Sequence, residues 1–224
     1  MKPGRLVESN RGVTLLGGGS LAPAMLHRAL QLAPCLIAAD GGAAHALAAG
    51  LRPEAVIGDM DSLTAPMRDR LTGVPLHRIA EQDSTDFDKA LRSVAAPFVL
   101  ALGFTGGRLD HTLAAFNVLA RHPAQRCLIL DDEDLCFLAP QELSLDLAAG
   151  TRVSLFPMGP VEGRSEGLRW PIDGRRFAPN DIIGTSNAAV GGQVRISLSA
   201  ARMLVLLPLA ELASALAALM TRPG

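Results

Sequence analysis

The chain has no tyrosine and a single tryptophan, Trp170, and aromatic residues make up only 4% of its 224 positions. Its core must therefore be mostly aliphatic, and the one tryptophan needs a reason. Cysteine is scarce too. Cys35, Cys127 and Cys136 form an odd set without CxxC spacing, which argues against a disulfide framework or a zinc site. Cys35 and Cys127 lie in apolar runs and read as small buried hydrophobes. The formal net charge is −1 with no long basic run, so extended nucleic-acid binding is not expected. No secretory signal pattern is present, and the longest apolar stretch, Leu21–Ala39, is broken by His27, Arg28 and Pro34. A soluble cytoplasmic protein with no membrane partner is the expectation. Hydrophobic residues at 49% and charged residues at 19% describe a globular chain long enough to bury a real core.

What is present alternates. Val13–Leu16, Cys35–Ala39, Ala55–Ile57, Leu76–Ile79, Phe98–Leu102 and Arg126–Leu130 are short apolar runs that read as strands. Helical segments separate them, including Pro23–Leu32, an alanine-rich stretch stopping at Gly50, the segment from Ser84 or Thr85 to Val94, and His111–Arg121. Strands alternating with helices predict a mostly parallel sheet flanked by helices. After about Leu138 the pattern changes. Leu143–Leu147, Arg152–Phe156, Val194–Leu198 and Met203–Leu207 are short strands with no helix between them, and Leu209–Met220 reads as a terminal helix. The fold class expected is an α/β N-terminal domain, residues 1–139, followed by an antiparallel all-β domain, residues 140–224.

The polar motifs share a location. Glycines 17–19, Asp40-Gly41-Gly42, Gly58-Asp59-Met60-Asp61-Ser62 and residues 103–107 each follow the carboxyl end of an expected strand, the edge where open parallel sheets bind ligands. Asp59 and Asp61 flank one residue. Two carboxylates that close repel unless a cation or proton intervenes, and hard oxygen donors favour Mg²⁺, which bridges to phosphates. The plainer reading is a solvated turn. A second acidic cluster, Asp83-Ser84-Thr85-Asp86-Phe87-Asp88-Lys89, starts a helix. Its acids complement the helix dipole, the preferred reading for Asp88. The same helix start would hold a metal and leave Lys89 free to meet phosphate. In Gly106-Gly107-Arg108-Leu109-Asp110-His111 the arginine suits phosphate, Asp110 suits a helix cap, and His111 is either a base or structural. Neither a Walker-type loop nor a dinucleotide-binding GxGxxG occurs.

In this order the motifs resemble the thiamine pyrophosphokinase (thiamine diphosphokinase) family. Gly167-Leu168-Arg169-Trp170-Pro171 and Gly184-Thr185-Ser186-Asn187 complete the match, which runs from about Val13 to Leu207. The resemblance implies diphosphoryl transfer from ATP to the hydroxyl of thiamine, giving thiamine diphosphate and AMP with Mg²⁺, in a homodimer with the thiamine site near the subunit interface. It implies metal binding by Asp59, Asp61 and Asp86. It places Lys89 and Arg108 near the phosphates and Asp110 among the catalytic groups near thiamine. Asp40, Gln82, Asp83, Thr85, His111, Trp170, Ser186 and Asn187 become substrate-binding positions. Two departures stand out: Ala115 where members often carry Asn, and Ala188 where an acid often follows Ser-Asn. A pyrophosphohydrolase releasing AMP and a non-catalytic thiamine or nucleotide sensor are the competing readings.

Overall fold

A computed structural model describes residues 5–221. The described chain packs as two units, one running up to Val118 and taking in Ile129–Asp132, the other comprising Leu119–Leu128 and the chain from Glu133 on.

The first unit is built on five parallel strands in the spatial order Val99–Leu102, Val13–Leu16, Cys35–Ala39, Ala55–Gly58, Leu76–Arg78. All but the last are buried at every residue. That explains their mostly apolar sequences, because a parallel sheet covered on both faces has no polar side to show, and the buried Thr14 hydroxyl donates to the Ala33 carbonyl at 2.6 Å. From Val13–Leu16 the chain steps outward to Leu76–Arg78, then returns to Val99–Leu102 on the opposite side. The order therefore reverses between Val13–Leu16 and Val99–Leu102. A crevice opens at such a reversal, outside the carboxyl ends of the strands. Residues 17–19 and 103–107 leave the sheet there, tied by Gly17 N–H to the Leu102 carbonyl and Gly19 N–H to the Gly103 carbonyl, each at 2.7 Å.

Close approach governs the neighbouring turn. Asp40–Gly42 is one turn of 3₁₀ helix leading into the helix Ala43–Ala48. A Cβ on Gly42 would lie 2.0 Å from the Leu16 carbonyl oxygen, so only glycine lets this turn rest against the first strand. The helix Asp86–Ser93 starts at Thr85, whose hydroxyl accepts the Asp88 N–H at 3.3 Å. It buries Phe87, Ala90 and Leu91. A two-residue parallel pair, Val7–Glu8 with Val94–Ala95, was not foreseen from sequence.

The second unit is antiparallel. One sheet runs Glu142–Leu147, Gly192–Leu198, Val161–Glu166, Arg176–Phe177, and the other strands are Gly184–Ala188, Arg152–Pro157, Met203–Pro208 and Asp134–Leu138 in that order. Glu142–Leu147 alternates exposed and buried residues along its length, with Leu143, Leu145 and Leu147 turned inward. The terminal segment is a 3₁₀ turn, Leu209–Glu211, followed by the helix Leu212–Met220, whose Ser214 hydroxyl donates to the Asp146 carbonyl. Both expected fold layers are present, with four more strands in the β half than its sequence announces. Among the described residues, no helix is long and apolar enough to cross a membrane.

Candidate active site

A cavity of about 620 Å³ occupies the crevice of the first unit, lined by residues 17–19, Asp40, Asp59, Asp86, Lys89, Phe104, Arg108 and His111 among others. Its acidic corner comes from three strand ends. Asp40 follows Cys35–Ala39, Asp59 and Asp61 follow Ala55–Gly58, and Asp86 opens the helix beyond Leu76–Arg78. Met60 makes the sharp turn between the paired acids. It adopts a left-handed backbone (φ 69°) while its side chain is buried with Ala38, Leu47, Val56 and Leu63. Core packing thus anchors a conformation that a non-glycine residue rarely takes, and both flanking carboxylates stay at the rim. Gly58 is required as well, since a Cβ there would meet the Asp40 Cβ at 2.7 Å and an Asp86 carboxylate oxygen at 3.1 Å.

Carboxylate oxygens of Asp40, Asp59 and Asp61 lie within 4.8 Å of one another. Asp40 is buried and also has a positive φ (38°). Its Oδ2 accepts the Ser62 N–H at 3.2 Å, while its Oδ1 is buried without a partner. Burial, with Asp86 and Asp59 nearby, holds the Asp40 carboxyl above the usual range, against the hydrogen bonds from Ser62. Asp59 Oδ1 accepts the Asp61 N–H at 3.4 Å, and Ser62 Oγ donates to Asp61 Oδ1 at 3.1 Å.

Lys89 is placed differently from the expectation. Its Nζ is not free to reach out. It is buried and donates to Asp59 Oδ2 at 3.0 Å and Asp86 Oδ1 at 3.1 Å. Burial alone would push its ammonium down, but the two carboxylates outweigh that and hold it above its ordinary value. The Lys89 hydrogen bond in turn holds Asp59 below the usual carboxylate range.

Arg108 and Asp110 are exposed and pair with each other through two hydrogen bonds, Nε to Oδ1 at 3.1 Å and Nη2 to Oδ2 at 2.6 Å. Each raises or lowers its partner's pKa accordingly, Arg108 upward and Asp110 downward. Such an exposed pair is held weakly in water and exchanges readily for a better anion. Thr85 lines the cavity while capping its helix, and His111 lines it from the start of Leu109–Arg121. Gln82 and Asp83 are exposed and lie outside the lining. Phe104, which sequence reasoning passed over, lines the crevice and stacks on Phe87 with ring centroids 4.2 Å apart. Its one sequence signal is its place after Gly103, and that does not distinguish it from any turn residue.

In the second unit Trp170 borders a cavity of about 210 Å³, shared with Phe177, Thr185 and Asn187. Asn187 is buried, and its side chain clamps the Trp170 backbone. Oδ1 accepts the Trp170 N–H at 3.2 Å, and Nδ2 donates to the Trp170 carbonyl at 2.7 Å. The amide expected to meet substrate therefore positions Trp170. Ser186 is exposed with a left-handed backbone (φ 60°), and its N–H donates to Ser154 Oγ at 3.0 Å. It does not line that cavity.

Residues 26–130 match the family described as thiamin pyrophosphokinase, catalytic domain, and residues 141–203 match thiamin pyrophosphokinase, vitamin B1 binding domain. Thiamine pyrophosphokinase 1 of Oryza sativa subsp. japonica is 29% identical over 65% of this chain and 62% of its own length. Thiamine pyrophosphokinase 1 of Arabidopsis thaliana is 30% identical over 61% of this chain and 58% of its own. The chain thus spans about three-fifths of these relatives. The crystal structure of thiamine pyrophosphokinase from Bacillus subtilis shares the fold, with a TM-score of 0.72 and 21% identity over 88% of this chain and 98% of that one. Two domain matches in the family's order, on a fold that gathers the motif carboxylates at one sheet edge, establish that this chain belongs to the thiamine pyrophosphokinase family.

Proposed function

We propose that the protein transfers the diphosphoryl group of ATP to the hydroxyl of thiamine, giving thiamine diphosphate and AMP, with Mg²⁺ at the acidic corner. The observation that carries this reading is the cluster of Asp40, Asp59 and Asp61 beside the buried Lys89, at the carboxyl edge of the parallel sheet of a chain in this family. The donor set fits a hard cation: all oxygens, with one of them, Asp40 Oδ1, buried and without a partner. Asp40, Asp59 and Asp61 would hold the ion, Asp40 taking the place that the resemblance gave Asp86, and Asp86 keeps one oxygen not engaged by Lys89. When bound, Mg²⁺ would supply charge neutralisation for the phosphate groups.

The remaining work falls to the protein. In the reaction the thiamine hydroxyl oxygen bonds to the β-phosphorus and its proton passes to solvent, while the bond from that phosphorus to the α–β bridging oxygen breaks and AMP departs carrying that oxygen. Such a transfer needs positioning and charge balance more than covalent help. Lys89 fixes Asp59 and Asp86 in place and offsets part of their negative charge. Arg108 exchanges Asp110 for a phosphate oxygen pair, which its planar fork matches. Trp170 offers a ring face to the permanent cation of thiamine. The reading carries with it a homodimer, to be checked by light scattering.

The test is to incubate the purified protein with thiamine and Mg-ATP and to chromatograph the products. Equal amounts of thiamine diphosphate and AMP, dependent on thiamine and abolished by EDTA, are expected. AMP formed without thiamine would replace this reading with a pyrophosphohydrolase. Ligand binding with neither product would replace it with a sensor. Trp170→Ala is expected to raise the Michaelis constant for thiamine about 2–30-fold, the equivalent of a lost cation–π contact, with kcat little changed. An unchanged constant would remove Trp170 from the site.

A further inference from the structure

Trp170 is 54% exposed, but its ring is not bare. The guanidinium of Arg169 lies over it, 5.0 Å from the ring centroid. Among the described residues Arg169 has no ion pair and no side-chain hydrogen bond, so the aromatic face is the specific partner its guanidinium meets there. The backbone that presents the two side chains is fixed. Arg169 N–H donates to the Ala188 carbonyl at 2.8 Å, and both backbone polar groups of Trp170 are held by Asn187. Arg175 lines the Trp170 cavity as well, and among the described residues no carboxylate lines it.

Two positive side chains therefore border a wall to which the proposed function assigns a cation. Electrostatically this is the wrong sign for thiamine. An aromatic face attracts a cation through its quadrupole. A guanidinium already there either occupies the face that thiamine needs or stays across the ring from it. In the first case it must be displaced, and in the second it repels the incoming charge. Both geometries act in the same direction.

We infer that Arg169 is a specificity-determining residue, an internal competitor that weakens the Trp170 wall for a bare cationic ring and favours a cationic ring carrying an anionic tail. The inference rests on the reading of Trp170 as the thiamine wall. Under it, the wall discriminates in favour of thiamine diphosphate over thiamine, which is product retention rather than tight substrate capture.

The single tryptophan makes the test site-specific. Calorimetry on the full chain gives Kd for thiamine and for thiamine diphosphate, and Trp170 emission reports whether the ring is at the site. Arg169→Met keeps the length of the side chain and removes its charge. It is expected to tighten thiamine about threefold and to leave thiamine diphosphate unchanged or weaker. Arg169→Lys, which keeps the charge, is expected to stay close to the natural protein. Thiamine binding unchanged or weakened in Arg169→Met, with Trp170 emission still responding, would overturn the inference alone. Thiamine binding without any response of Trp170 emission in the natural protein would overturn the wall reading and the inference together.

Discussion

Lys89→Met is expected to cost the metal-free protein about 3–5 kcal/mol of stability, because it removes one partner of a buried ion pair and leaves the other uncompensated. The Lys89 ammonium bridges two carboxylates, Asp59 at 3.0 Å and Asp86 at 3.1 Å. Its side chain is 2% exposed, against 15% for Asp59 and 35% for Asp86. The lower end of the range applies, since water partly screens Asp86. Methionine keeps the apolar stem, so the loss is one of charge rather than of packing. Without the ammonium, Asp59 and Asp86 face each other with Asp40 and Asp61 close by, four acids and no cation. In EDTA the melting temperature should therefore fall by about 10 °C. Added Mg²⁺ should recover more of it in the variant than it adds to the natural protein, because a bound ion replaces the missing charge. An unchanged melt in EDTA would show that the ammonium does not hold this corner together. Equal Mg²⁺ shifts in both proteins would show that the acids do not share an ion.

The position of Lys89 also shows where sequence reading stops. Its helix, its distance from Asp86 and its proximity to an acidic cluster are all local, and local spacing reveals them. Its bond to Asp59 joins residues thirty apart in sequence through the crossover from Ala55–Gly58, and no spacing rule reports that. That is why sequence reading expected a lysine free for phosphate where the structure pairs it with Asp59 and Asp86. The same holds for Asp40. Its carboxylate joins the Asp59–Asp61 pair because Gly42 and Gly58 permit backbone contacts that the letters alone do not locate. Strands in the first unit were legible because full burial makes them mostly apolar. Val161–Glu166 was not. It reads Val-Glu-Gly-Arg-Ser-Glu, buries only its first residue, and is a strand because Gly192–Leu198 pairs with it. Gly184–Ala188 is similar, polar in sequence and recruited by Arg152–Pro157.

Asp61→Asn separates chemistry from stability at the same corner. Asp61 is exposed, and its side chain makes one hydrogen bond, accepting from the neighbouring Ser62 hydroxyl, which an amide oxygen accepts equally well. Its loss as a charge should leave the melting temperature in EDTA within about 1–2 °C, as for a surface substitution without a buried partner. Removing a negative charge from three acids held within 4.8 Å relieves repulsion and is, if anything, stabilising without metal. Turnover is another matter. If the acids position the ion that neutralises the departing phosphate, kcat should fall about 10²–10³-fold, the scale of losing one preorganised electrostatic contact. The Michaelis constant for thiamine should move little, since Trp170 and its surroundings are untouched. Raised Mg²⁺ should restore part of the rate, because a weaker site fills at higher concentration. Equal losses in kcat and in thiamine affinity would place Asp61 among substrate contacts instead. Lys89→Met that loses stability and Asp61→Asn that loses only rate would together assign the buried half of this corner to holding the site and the exposed half to working it.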